Sequence, residues 1–101
     1  MKVIFSAKAD QDLASLFEYI NDSLHNSIAA HNIVSKILRL SQKLSDFPEM
    51  GTSLKAIDNR LGVYRYLIVD NYLLVYKIVD EEVFMVRILY AKSDYVQLLR
   101  G

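Results

Sequence analysis

Residues 64–99 read YRYLIVDNYLLVYKIVDEEVFMVRILYAKSDYVQLL, and this stretch decides the fold. β-Branched and aromatic runs are interrupted by polar residues at Asp70-Asn71 and Asp80-Glu81-Glu82, which predicts three consecutive antiparallel strands joined by tight turns and followed by a short helix. Side chains on a strand alternate between faces. Carried across the turns, that alternation assigns Tyr64, Tyr66, Ile68, Tyr72, Leu74, Tyr76, Ile78, Phe84, Val86, Ile88 and Tyr90 to one apolar face. The other face would hold Val63, Arg65, Leu67, Leu73, Val75, Lys77, Met85, Arg87 and Leu89, so that Arg65, Lys77 and Arg87 sit among aliphatics. This mixed face is the first place to look for function.

Upstream, Lys2–Phe5 is a strand candidate and Ser6 stands at an N-cap position, with Asp10 and Asp12 in the turns that follow. Leu13, Leu16, Phe17, Ile20 and Leu24 recur at helical spacing, predicting a helix over about 7–24. After a break at His25-Asn26-Ser27, with Ser27 as the next cap, Ile33, Ile37, Leu40, Leu44 and Phe47 mark a second helix over about 28–47, its stripe widened by Ala30, Val34 and Leu38. The short break makes the two helices an antiparallel hairpin whose stripe must be buried against the apolar face of the sheet. Pro48 ends the second helix, and residues 49–62 form the longest irregular connection, with Gly51 and Gly62 as turning points. The expected fold is one α+β domain over 1–101. It has an N-terminal strand, an antiparallel helical hairpin on one face of a mainly antiparallel sheet, a three-strand meander and a short C-terminal helix.

Composition narrows the functional classes. The chain of 101 residues has no cysteine, which removes disulfides and thiolate metal sites and fits a reducing cytoplasm. No run approaches the roughly 18 apolar residues of a membrane span. Lys plus Arg, 12, balance Asp plus Glu, 12, so bulk charge gives no support for direct DNA binding. His25 and His31 lie too far apart for a helical metal pair, and no metal or cofactor is expected. Most of the tyrosines fall on the expected core face and read as packing residues.

Four segments then resemble one family in order and spacing: VIFSAKADQDLASLFEYI from Val3, FPEMG at 47–51, YRYLIVDNYLLVYKI from Tyr64, and VRILYAKSDYVQLL from Val86. Together they resemble the ParE/RelE superfamily of bacterial type II toxin–antitoxin toxins, also called plasmid-stabilisation proteins. The ribosome-dependent mRNA endonucleases of the RelE branch use basic residues on the polar sheet face. Those positions fall here on Arg65, Leu67 and Leu73, and the family's basic element near the chain end falls on Tyr90, Ala91, Lys92 and Ser93. If the chain were such an RNase, Arg65, Arg87 and Lys92 would have to carry catalysis, although arginine is a poor base. The resemblance is therefore nearer the ParE branch, which implies binding of DNA gyrase and no hydrolysis, together with neutralisation by a cognate antitoxin whose segment lies over the hairpin and sheet. An attenuated toxin that only binds its antitoxin is the third reading. Arg65, Leu67, Leu73, Lys77, Arg87, Lys92, Asp94 and Tyr95 are the expected target- or antitoxin-binding residues. The alternative for the strand cations is a solvated face paired with Asp70, Asp80 or Glu82. For Asp94 and Tyr95 it is a helix cap and a packed ring.

Overall fold

The computed structural model describes residues 1–100. Its elements are β1 (Lys2–Phe5), α1 (Ala7–Glu18), a π turn (Tyr19–Ser23), α2 (Ser27–Asp46), β2 (Thr52–Ser53), two 3-10 turns (Leu54–Ala56 and Asn59–Leu61), β3 (Arg65–Val69), β4 (Tyr72–Val79), β5 (Glu82–Tyr90) and α3 (Tyr95–Arg100). The sheet order is β1-β5-β4-β3-β2; β1 runs parallel to β5, and the other pairs are antiparallel. The expected α+β architecture is thus observed. The connection over 49–62 is more ordered than expected, because β2 and both 3-10 turns lie within it.

Local chemistry explains the helix ends. Ser6 caps α1 by accepting from Ala9 N at 2.9 Å, and its hydroxyl donates to Val86 O at 2.7 Å, which ties the helix start to β5. The cap of α2 is Asn26, not Ser27: its Oδ1 accepts from Ala29 N at 3.0 Å. Asn and Ser cap equally well, so the non-helical backbone of Asn26, with φ −134° and ψ 82°, marks the position. Leu16, Ile33, Ile37 and Leu44 are buried against the sheet as predicted, whereas Leu24, Leu38 and Phe47 remain substantially exposed.

The two faces of the sheet differ from the expected ones, for a geometric reason. Asp70-Asn71 and Asp80-Glu81 are two-residue turns, with Val69 opposite Tyr72 and Val79 opposite Glu82. Directly opposed residues share a face, so a two-residue turn pairs odd positions with even ones. Leu67 and Val69 therefore join Tyr72, Leu74 and Tyr76 beneath the helices, while Tyr64 and Tyr66 turn to the outer side. Along β5 the same switch puts Val83 and Met85 in the helix-side core. A bulge then leaves Val86 unpaired between Met85 and Arg87, so that Ile88 and Leu89 regain the expected sides.

The outer face is not an open hollow. Leu73, Val75 and Leu89 form a second core with Leu54 and Leu61 from the 3-10 turns, and Tyr64, Tyr66, Tyr95, Val96 and Leu99 pack around it. The centre of the sheet is thus covered on both sides, while Ile68 on the outer side stays exposed.

Candidate functional site

The register separates the strand cations. Arg65 stands opposite Tyr76, on the helix side, whereas Arg87 stands opposite Val75 and Lys77 opposite Phe84, on the outer side. The expected single face of three cations does not exist.

Arg65 is tied to the chain just after α2. Its Nη1 donates to Gly51 O at 2.7 Å and to Glu49 O at 3.2 Å. Tyr76 holds the same loop from below: its hydroxyl donates to Pro48 O at 2.7 Å and accepts from Gly51 N at 2.9 Å. Burial pushes the Tyr76 phenol above its ordinary pKa. A Cβ on Gly51 would lie 2.5 Å from the Tyr76 hydroxyl and 2.7 Å from its ring, so this position requires glycine for close approach rather than for a special dihedral angle. The FPEMG segment that carries the family resemblance is thus a clamp site that fixes the loop between α2 and β2. Gly62 faces no such constraint, since its φ is −63° and a Cβ would meet only ordinary neighbours.

Arg87 forms a two-pronged pair with Asp12 of α1, Nε to Oδ2 at 2.8 Å and Nη2 to Oδ1 at 3.1 Å. This hydrogen bonding raises the guanidinium pKa further. Asp12 Oδ2 also accepts from Ile88 N at 2.9 Å. β1 pairs only with the first half of β5. Beyond it, Ser6 and Asp12 take up polar groups along that edge, which helps blunt an edge that would otherwise invite strand addition. Arg87 is therefore a neutralised edge residue.

The remaining candidates divide. Leu67 is partly buried against the helix-side core, and Leu73 is buried in the outer one and presents no surface. Lys77 is half-buried and its ammonium makes no hydrogen bond or ion pair among the described residues, and Lys92 is exposed. Asp94 accepts from Gln97 N at the start of α3, and Tyr95 packs into the outer core, matching the cap-and-packing alternative. Arg60 is paired with Asp58, whose carboxyl it holds below the usual range through hydrogen bonds. His31 rests edge-on against Phe17 with ring centroids 5.0 Å apart, and no metal-holding cluster occurs among the described residues.

What the sequence reading did not find is a groove of about 750 Å³ between the hairpin and the ends of β4 and β5. Leu16, Ile33 and Ile88 are buried along its floor, while Tyr19, Leu24, Tyr90 and Leu98 line it at 44–55% exposure. Tyr72 and Tyr90 meet edge-on at 5.9 Å within it. The Tyr72 phenol is raised in pKa by burial and then by the nearby Tyr19 and Tyr90. Exposed apolar and aromatic side chains gathered around a concave apolar floor are features of a recognition surface. The signal lies in Tyr19 and Leu24, apolar residues at the helical break, although helical spacing alone places Leu24 in the core.

The comparisons agree with this architecture. The sequence pattern of the family described as "ParE toxin of type II toxin-antitoxin system, parDE" matches residues 3–95. A solved structure described as "Chromosomal ParDE TA system from P. aeruginosa" superposes with a TM-score of 0.76 at 17% identity, covering 91% of this chain and 97% of that one. No match is found among curated proteins. A strand-capped helical hairpin on a buried meander, with a family pattern over nearly all of its length, places this chain in the ParE toxin family of type II toxin–antitoxin systems.

Proposed function

We propose that this ParE-family chain arrests growth by binding an essential protein, DNA gyrase, in the bacterial cytoplasm, and that a cognate antitoxin silences it by laying an apolar segment over the hairpin and sheet. What favours a binding toxin over a nuclease is the engagement of the arginines. Cleavage of an RNA phosphodiester needs a base, an acid and cations converging on one phosphate. Here Arg65 is spent on two backbone carbonyls of the loop after α2 and Arg87 on Asp12 at the sheet edge. Lys92 stands apart from both, at the end of β5. Support for the second part comes from the apolar groove, which a partner segment that orders on binding could fill.

Induction in cells separates the readings. Gyrase poisoning predicts altered supercoiling of a reporter plasmid and DNA damage signalling while existing mRNA stays intact. Rapid cutting of mRNA at the ribosomal A site would establish the endonuclease reading instead, and an absence of any growth defect would establish an attenuated toxin.

A further inference from the structure

The π turn at Tyr19–Ser23 has a consequence for the groove. Ala9, Leu13, Leu16 and Ile20 pack toward the sheet at steps of four, three and four, which defines the core line of α1. At about 100° per residue, Asp12 and Tyr19 fall on one flank of that line and Phe17 on the other. Phe17 faces α2, where its ring meets His31; Asp12 and Tyr19 line the groove. Continued as an α-helix, the chain would carry Leu24 about 50° to the Phe17 side, toward the helix–helix seam. Instead Leu24 N donates to Tyr19 O at 3.1 Å, five residues back. The extra residue moves Leu24 back by about 100°, to the groove flank beside Tyr19. There it lines the groove at 55% exposure. In the free chain a leucine held half in water gains little from that move, and π turns are rare and concentrate at functional sites.

We propose that the π turn serves to place Leu24 on the groove wall, where with Tyr19 it grips an aliphatic segment of the antitoxin. This rests on the antitoxin reading above and names the residues that would set its affinity. Charge points to the same occupant. The groove lining holds Asp12 and Asp70 and no Lys, Arg or His. Asp12 is already occupied by Arg87 and Ile88 N, whereas Asp70 is half-exposed and touched only by Lys36 at 3.4 Å. The segment therefore combines aliphatic side chains over the floor with a basic residue at the Asp70 end.

Two one-residue deletions test the claim. Removing Ser23 leaves Leu24 four residues after Tyr19, so the turn becomes α-helical and Leu24 keeps its place. Removing Leu24 regularises the turn equally but leaves Ser23 on the groove wall. The probe is the purified antitoxin, the product of the reading frame adjoining this gene, titrated by calorimetry. Deletion of Ser23 is expected to keep affinity within about threefold, and deletion of Leu24 to weaken it by about tenfold or more, as for a hot-spot side chain. Leu24→Ala in the full-length chain gives a similar loss with an unchanged melting temperature, which covers the case of a deletion that fails to fold. Equal affinity of the two deletions, or wild-type affinity of Leu24→Ala, overturns the proposal. So does a Leu24→Ala variant that turns a dimer of this chain into a monomer with antitoxin affinity unchanged, since the groove would then hold a second copy. If the wild-type chain does not bind the antitoxin at all, the antitoxin reading itself falls, and this inference falls with it.

Discussion

Replacing Tyr76 by Phe removes one oxygen and leaves the ring. Two hydrogen bonds go with it, to Pro48 O at 2.7 Å and from Gly51 N at 2.9 Å. No cavity opens beyond the space of a hydroxyl, so packing contributes little. A typical hydrogen bond contributes about 0.5–1.5 kcal/mol net, and a buried donor left bare costs about 1–3 kcal/mol. Gly51 is buried, so its N–H has no route to water. The expected loss is about 2–3 kcal/mol, or on the order of 10–20 °C in melting temperature for a domain of this size. Urea denaturation should show a lower midpoint with an unchanged slope. Arg65→Ala should also destabilise, because its guanidinium holds the neighbouring carbonyls of the same loop. The double mutant should lose less or more than the sum by about 0.5 kcal/mol or more, as expected for side chains that share one support. A loss under about 0.5 kcal/mol for Tyr76→Phe would refute the clamp. Arg65→Ala with full stability and lost toxicity would return Arg65 to a recognition role.

Other expectations follow from single features. Asp80 and Glu81 both have positive φ, 50° and 63°, in a two-residue hairpin turn without glycine, so Glu81→Gly should raise stability by about 0.5–1 kcal/mol in urea denaturation. Asp12→Ala strips Arg87 of its partner and leaves Ile88 N bare at the sheet edge; it should cost about 2–3 kcal/mol, with Asp12→Asn recovering part of that through the retained acceptor. Tyr72 and Tyr76 both have phenols raised above the ordinary value of 10.0. Their contribution to stability is present in full below that value and is lost as pH rises from it through the folded-state values. Denaturation midpoints should therefore fall above about pH 10, and less steeply in Tyr76→Phe.

The elements were largely legible, because helical spacing, caps and turn residues are local signals. Ser6, the stripe from Leu13 to Ile20, the Pro48 stop and the meander all appear where the sequence places them. The faces were not legible, because parity depends on turn length and on a bulge. One residue more or less at Asp80-Glu81-Glu82 exchanges the sides of Phe84 and Met85, and nothing local in Val86 marks it as the unpaired residue. The cations misled for the same reason. An arginine in an alternating strand reads as solvent-facing, yet Arg65 and Arg87 found backbone carbonyls and a carboxylate far along the chain. The place of Leu24 on the groove wall was not legible either, because Tyr19–Ser23 form a π turn where the apolar spacing is equally compatible with an α-helix. Parallel pairing of β1 with β5 joins the first and last strands, which only tertiary structure reveals.

The most direct measurement uses purified components: this chain, gyrase with relaxed plasmid, and separately programmed ribosomes carrying mRNA. A protein-binding toxin with no converging cations should block supercoiling without ribosomes, recover on adding antitoxin, and leave A-site mRNA whole. Cleavage of that mRNA with gyrase untouched would contradict the account.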